Sequence, residues 1–187
     1  MNNGILPVER TLGMQWCMQS DTFNFKVTLN GKPLTRRGIL SMVSSIFDPL
    51  GLIAPFVLLG KQLLQELRRH NVDWDEAIPE DIICRFNIWK EELPLLQNVK
   101  IPRCYKYDNF DRIHYVELHH FSDACETGYG QCSYLKMTNC DGQVLCTLIM
   151  AKSRVTPIKP VTMPRLELTA ALVSVRVSKF LKKRVEF

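Results

Sequence analysis

The sequence contains no apolar run long enough to cross a bilayer. Its longest, from Leu50 to Gly60, is broken by Pro55 and reaches about half of the ~20 residues that a spanning helix needs. The opening segment MNNGILPVER lacks the basic start and apolar centre of a secretory leader, so secretion is not indicated. Cysteine pairing signals are also missing. The seven cysteines, at 17, 84, 104, 125, 132, 140 and 146, are odd in number and include no C-x-x-C, which argues against a disulfide framework and a zinc ribbon alike. Reduced thiols in a cytosolic protein are the expectation. The last four lie 6 to 8 positions apart near His119 and His120, a spacing that suits neighbouring strands better than a tetrahedral site, so no zinc is predicted. Internal repeats and low-complexity stretches are absent as well.

What is present is an ordinary globular composition. The 187 residues are 46% apolar and 23% charged, enough for one domain or two small ones. A chain of this size buries roughly two-thirds of its unfolded surface, sufficient for a core without staples. Net charge is +5, unevenly placed: residues 1–110 carry 13 basic and 12 acidic groups, residues 111–187 carry 11 and 7. This basic excess in the second part is a weak pointer to an anionic partner and is silent about fold.

Residues 10–29 read as two strands. Leu12, Met14 and Trp16 alternate, and after a polar break at Gln19 to Asp21 so do Phe23, Phe25, Val27 and Leu29, a hairpin pattern closed by a turn at Asn30-Gly31. Helical spacing starts after Thr35, a candidate N-cap. Ile39, Leu40, Val43, Ile46 and Phe47 form its apolar stripe, and Asp48-Pro49-Leu50-Gly51 ends it, because proline disfavours helical geometry just before it. A second helix is expected from near Pro55 to about His70. A third opens near Pro79, with Ile82, Phe86, Trp89 and Leu93 on one face. Pro94 and Pro102 bracket an extended linker, and a domain boundary is expected at about 105–112.

Beyond it the period changes to two. Strands are predicted over 114–121, 128–137 and 144–152, the last two joined by a hairpin turn at Asp141-Gly142. Thr162 is the expected N-cap and Pro164 a first-turn residue of a long helix, whose inner face is Leu166, Ala170, Val173, Val177 and Phe180. The fold class expected is α+β. Asp123 ends the first of these strands, and Glu167 sits one turn into the helix. Taken singly, each carboxylate has a plain structural explanation: a strand end, and the positive end of a helix dipole. Two features favour a site. Glu167 lies between Leu166 and Leu168, so it need not face open solvent, and Lys152, Arg154, Lys159 and Arg165 cluster between the third strand and the helix.

Five blocks carry a resemblance: LGMQW at 12–16, RRGILSMVSSIFDPLGLIAPF at 36–56, VDWDEAIP at 72–79, ELHHFSDAC at 117–125 and AKSRVTPIKPVTMPRLELTAAL at 151–172. In that order they resemble the BEL/Pao retrotransposon polyprotein family, D-P-L-G-L-I-A-P and P-R-L-E-L being the specific parts. The resemblance implies that residues 1–34 are the palm-end hairpin of a reverse transcriptase and 35–110 a helical thumb and connection. Residues 111–187 would be the first half of a ribonuclease H-like fold, three antiparallel strands and a helix, truncated before its later strands.

Asp123 then matches the first-strand metal-binding aspartate and Glu167 the first-helix metal-binding glutamate. Cys125 replaces the serine more usual after S-D-A. The implied cofactor is Mg2+, which two carboxylates hold only loosely because it keeps several waters. The implied partners are an RNA–DNA hybrid, held at its phosphates by Lys152, Arg154, Lys159 and Arg165, and the remainder of the Pol polyprotein. A cytoplasmic setting, extending to virus-like particles, and no membrane partner complete the expectation. Arg36 and Arg37 could touch duplex backbone or be ordinary surface, and Lys182, Lys183 and Arg184 read as a solvated helix end.

Further acidic residues of a complete ribonuclease H site, such as one in an S-D-S context, do not occur before Phe187, so the chain by itself is expected to be inactive. An inactive remnant or a domesticated nucleic-acid-binding module is the alternative. The family also carries a peptidase label. Retroviral-type aspartic proteases need D-T-G or D-S-G, whereas this chain has Ser20-Asp21-Thr22-Phe23 and Ser122-Asp123-Ala124-Cys125. No serine or cysteine has a recognisable nucleophile setting either.

Overall fold

A computed structural model describes residues 8–11, 14–27, 31–107 and 109–184. The chain is α+β and divides into two compact units: residues 1–49 with 59–104, and residues 50–58 with 105–187.

The first unit carries a four-stranded antiparallel sheet, β1 (Val8–Thr11), β2 (Met14–Cys17), β3 (Thr22–Asn24) and β4 (Lys100–Pro102), in that order. The expected two-stranded hairpin is therefore part of a larger sheet. Trp16 pairs with Phe23, and Phe23 with Ile101, so the stretch read as a linker supplies the fourth strand. Leu12, Leu29 and Asn30 of the expected pattern lie outside the described residues. Asp21 closes the β2–β3 turn with a φ of 47°, a left-handed conformation that aspartate tolerates better than most residues. Its carboxylate is clamped there. Arg103 Nε donates to Oδ1 at 2.6 Å, Nη2 to Oδ2 at 3.1 Å, and the Trp16 indole N–H to Oδ1 at 2.9 Å.

This unit also holds α1 (Arg36–Ser45), the part of α2 (Ala54–Arg69) from Leu59 onward, and α3 (Glu80–Glu92), the last running into a 3-10 helix at Leu93–Asn98. Thr35 caps α1, its side chain accepting from the Gly38 amide at 3.2 Å. The apolar stripes are buried as expected at Ile39, Val43, Ile46, Ile82, Phe86, Trp89 and Leu93, but Leu40 and Phe47 are exposed. Met42 takes the inward position instead. Arg36 and Arg37 are engaged within the unit. Arg36 lies 4.1 Å from the Trp74 ring and donates to the Val72 carbonyl, and Arg37 forks onto Asp75 at 2.9 and 3.0 Å.

The second unit is a three-stranded antiparallel meander, β5 (Ile113–Ala124), β6 (Gly128–Asn139) and β7 (Val144–Val155), followed by α4 (Met163–Lys182). Each strand runs beyond its predicted end to 12 residues. Helix α4 buries Leu166, Ala170, Val173, Ser174, Val177 and Leu181. Phe180, expected inside, is exposed, and Leu181 takes its place. Val177 and Leu181 share a core with Leu135, Met137, Ile149, Met150 and Phe110.

The D-P-L-G corner is anchored to β7. Leu50 C=O accepts from the Ala151 amide at 2.8 Å, and Ala54 C=O from the Ser153 hydroxyl at 3.1 Å. Gly51 has a φ of +75°, and a Cβ there would overlap the Ala151 carbonyl. Only glycine meets both conditions.

Two predictions follow from these anchors. Gly51→Ala lowers the unfolding free energy by on the order of 2–4 kcal/mol, measured by urea denaturation. The Asp21 carboxyl is held down at about 2 by hydrogen bonds from Arg103, then Trp16 and Cys104, against an ordinary 3.8. Because the folded value is the lower one, this clamp is fully stabilising above about pH 4 and is lost as pH falls through about 2. A side-chain NMR titration should show that midpoint, rising toward the ordinary value in Arg103→Gln.

Candidate metal and nucleic-acid site

The three long strands alternate their side chains between two faces, and the register assigns each candidate residue to one of them. Leu118 pairs with Leu135 and Val116 with Met137, on the face that packs against Val177 and Leu181 of α4. Asp123 pairs with Gly130, and Gly130 with Ser153, on the opposite face. Lys152 pairs with Gln131 and Arg154 with Tyr129, which returns both cations to the α4 face. Lys159 lies in the connection between β7 and α4, and Arg165 in the first turn of α4. All four basic side chains are exposed.

Asp123 is exposed one residue before the end of β5, and it lines a groove of about 500 Å³. The floor of this groove is β6 where it has no side chains, at Gly128 and Gly130, and its far wall is Ala54, Pro55 and Leu58. A Cβ at Gly130 would come within 2.7 Å of the Lys152 carbonyl oxygen, so the floor cannot be raised by a side chain without moving β7. Cys125 stands at the same groove. Its thiol is held below its ordinary range by a hydrogen bond with Thr127 and contacts to the Thr127 and Gly128 backbone, opposed by burial.

Glu167 is exposed on α4, and its neighbour Leu168 is 70% exposed. The expectation that the flanking leucines would shelter it is therefore overturned: of the two, only Leu166 turns inward. Among the described residues neither Asp123 nor Glu167 has an ion-pair partner. No group of three or more His, Cys, Asp or Glu side chains capable of holding a metal occurs among them. Magnesium takes hard oxygen donors, retains several waters and is commonly held by one or two carboxylates together with substrate phosphates. Two exposed carboxylates suit that chemistry, although they do not form a closed cage.

The sequence reading passed over a polar chain beneath the α4 side of the sheet. Ser133, fully buried, donates to Gln131 Oε1 at 2.9 Å and lies 2.8 Å from His120 Nδ1. The single serine proton is committed to Gln131, so Nδ1 of His120 must carry the proton that joins it to Ser133. His120 Nε2 and Gln131 Nε2 are then buried with no partner. Burial, with Lys182 and His119 adding, lowers the His120 pKa and favours this neutral form. The signal was available: Gln131 and Ser133 occupy the inward positions of β6 that Leu135 and Met137 continue.

Three long antiparallel strands followed by a helix laid on one face make an α+β arrangement consistent with a ribonuclease H-like fold. Residues 35–187 match the model of the Pao retrotransposon-like RNaseH-like domain, and the chain belongs to that family. No curated protein sequence matches it. Among the described residues, no helix is long and apolar enough to cross a membrane.

The polar chain gives a stability test. Ser133→Ala leaves His120 Nδ1–H and Gln131 Oε1 without their partner, and should cost about 1–3 kcal/mol in urea denaturation. An unchanged midpoint would mean that water already satisfies these groups.

Proposed function

We propose that this chain belongs to the reverse transcriptase/ribonuclease H region of a retrotransposon Pol polyprotein and engages an RNA–DNA hybrid in the cytoplasm. The observation that carries the reading is the family match over residues 35–187, which includes every residue proposed here for a site. In this reading residues 35–110 are the thumb and connection, and residues 111–187 the ribonuclease H-like portion. Lys152, Arg154, Lys159 and Arg165 hold phosphates of the hybrid and position it without reading bases. Asp123, on the groove face of the sheet, and Glu167, on α4, would each offer carboxylate oxygens to Mg2+ held together with substrate phosphate. When bound, that ion would stabilise charge on the phosphate and lower the pKa of its water. Among the described residues no basic side chain is paired with Asp123 or Glu167, so their oxygens remain available as acceptors.

A second reading is supported by the lack of a three-group metal cluster among the described residues: a nucleic-acid-binding module without hydrolysis. The two separate in one experiment. Hybrid binding by fluorescence anisotropy should weaken with salt. The double variant Lys152→Gln, Arg154→Gln should reduce the logarithmic salt slope by about 1.5–2, the share of two phosphate contacts. Hybrid cleavage in Mg2+, if present, should fall at least about 100-fold in Asp123→Asn or Glu167→Gln, with binding kept. Full cleavage by both variants would refute the site. Binding by the wild-type chain with no cleavage would favour the second reading.

A further inference from the structure

The two edges of the three-stranded sheet are finished differently. On β7 the outer edge is covered: the Ala151 amide donates to the Leu50 carbonyl at 2.8 Å, and the Ser153 hydroxyl to the Ala54 carbonyl at 3.1 Å. Strand β5 is the other edge. Among the described residues, no backbone hydrogen bond leaves residues 115–121 except toward β6. Edge strands are normally blunted by shortness, proline, lysine or a bulge. Strand β5 is 12 residues long and contains no proline, lysine or arginine. Its one bulge lies at its start, between Ile113 and Tyr115. Residues 115–121 are therefore a regular strand whose outer backbone groups are ready to pair.

The side chains of this run are arranged about Leu118. Tyr115, Glu117, His119 and Phe121 share the face of Asp123, and Val116, Leu118 and His120 share the α4 face. Counting outward from Leu118, an acidic Glu117 mirrors a basic His119, and the ring of Tyr115 mirrors that of Phe121. Tyr115 and Phe121 are 56% and 57% exposed. Lys136 and His119 both approach Oε2 of Glu117, at 2.6 and 3.6 Å. Its second carboxylate oxygen is left for a further donor.

We infer that β5 pairs antiparallel with β5 of a second copy of this chain, about a two-fold axis at Leu118, and so builds a continuous six-stranded sheet. In this register each Glu117 stands opposite His119 of the second copy, and each Tyr115 opposite its Phe121. Opposite-charge and aromatic pairs across strands are stabilising, and in an isologous contact each occurs twice. Neighbouring registers that keep the sheet faces aligned are poorer. An axis at Glu117 sets two carboxylates against each other, and one at His119 leaves Glu117 opposite Phe121. An axis at His120 puts Glu117 against Asp123. Asp123 itself lies beyond the paired run and keeps its place at the groove. Helix α4 packs equally on β5 and β6, so it lies about one strand spacing from the axis. The two α4 helices then stand roughly 10 Å apart, an ordinary distance for packed helices.

Sedimentation of the full chain tests this pairing. The wild type should pass from monomer to dimer with concentration and stop there, because the dimer uses up both β5 edges. Tyr115→Lys with Phe121→Lys puts like charges opposite each other and should weaken dimerisation at least about tenfold. Tyr115→Glu with Phe121→Lys makes those same positions complementary and should recover it. Both double variants lose the ring contact between Phe121 and Tyr134, so the difference between them reports the pairing and not the fold. Hydrogen exchange locates the contact: the outward-facing amides within 115–121 should be protected in concentrated wild type and exchange quickly in the double-lysine variant. A wild-type chain that stays monomeric to about 1 mM overturns the inference. So does a double-lysine variant that dimerises like wild type, a Glu/Lys variant that fails to recover, or a dimer whose β5 edge amides remain unprotected.

Discussion

Side-chain alternation across β6 is the constraint on which the second unit depends. Leu135 and Met137 must face α4, because their burial with Val177 and Leu181 forms the core. Once that parity is set, every other position on the sheet is assigned. Gln131 and Ser133 are carried under the helix although they are polar, and Ser133 and Gln131 answer with a hydrogen bond to each other. Gly128 and Gly130 fall on the other face, where the absence of side chains opens the groove beside Asp123. A shift of pairing by one residue would expose the core, so the site inherits its geometry from hydrophobic burial.

Much of this arrangement was legible in the residues. Period-two runs located all three long strands, Asp141-Gly142 located their hairpin, and Pro55, Pro79 and Pro164 each marked a helix start to within a residue or two. The failures have physical causes. The stretch around Ile101 has no alternating pattern of its own and becomes a strand only through pairing with Phe23, a long-range event that local pattern cannot show. Phe180 looked inward because it is large and apolar, yet the helical turn brings Leu181 to the core. Glu167 looked sheltered because of its neighbours in sequence, but on a helix adjacent residues point about 100° apart, so Leu168 offers it no cover.

The candidate site divides the same way. The residue types at Asp123 and Glu167 were readable, as was the basic cluster from Lys152 to Arg165. Which sheet face each would occupy depended on register, and the two carboxylates belong to different layers of the unit. Asp21, which shares its S-D context with Asp123, shows how little an isolated dipeptide decides. Its carboxylate is consumed by Arg103, Trp16 and Cys104 in closing a turn, whereas that of Asp123 stands at an open groove.

One irregularity in β7 has a wider reach. Opposite Ser133 and Tyr134, strand β7 contributes Met150 and Leu148, with Ile149 as an extra residue between them. This bulge lets Ile149 and Met150 both enter the core, and it also inverts parity for everything downstream. Lys152 and Arg154 owe their place on the α4 side to that bulge. If the same sequence paired regularly through Ile149, both cations would turn onto the face that carries Asp123. A local irregularity in pairing, with no change of residue, thus decides which surface of the sheet presents Lys152 and Arg154 to solvent.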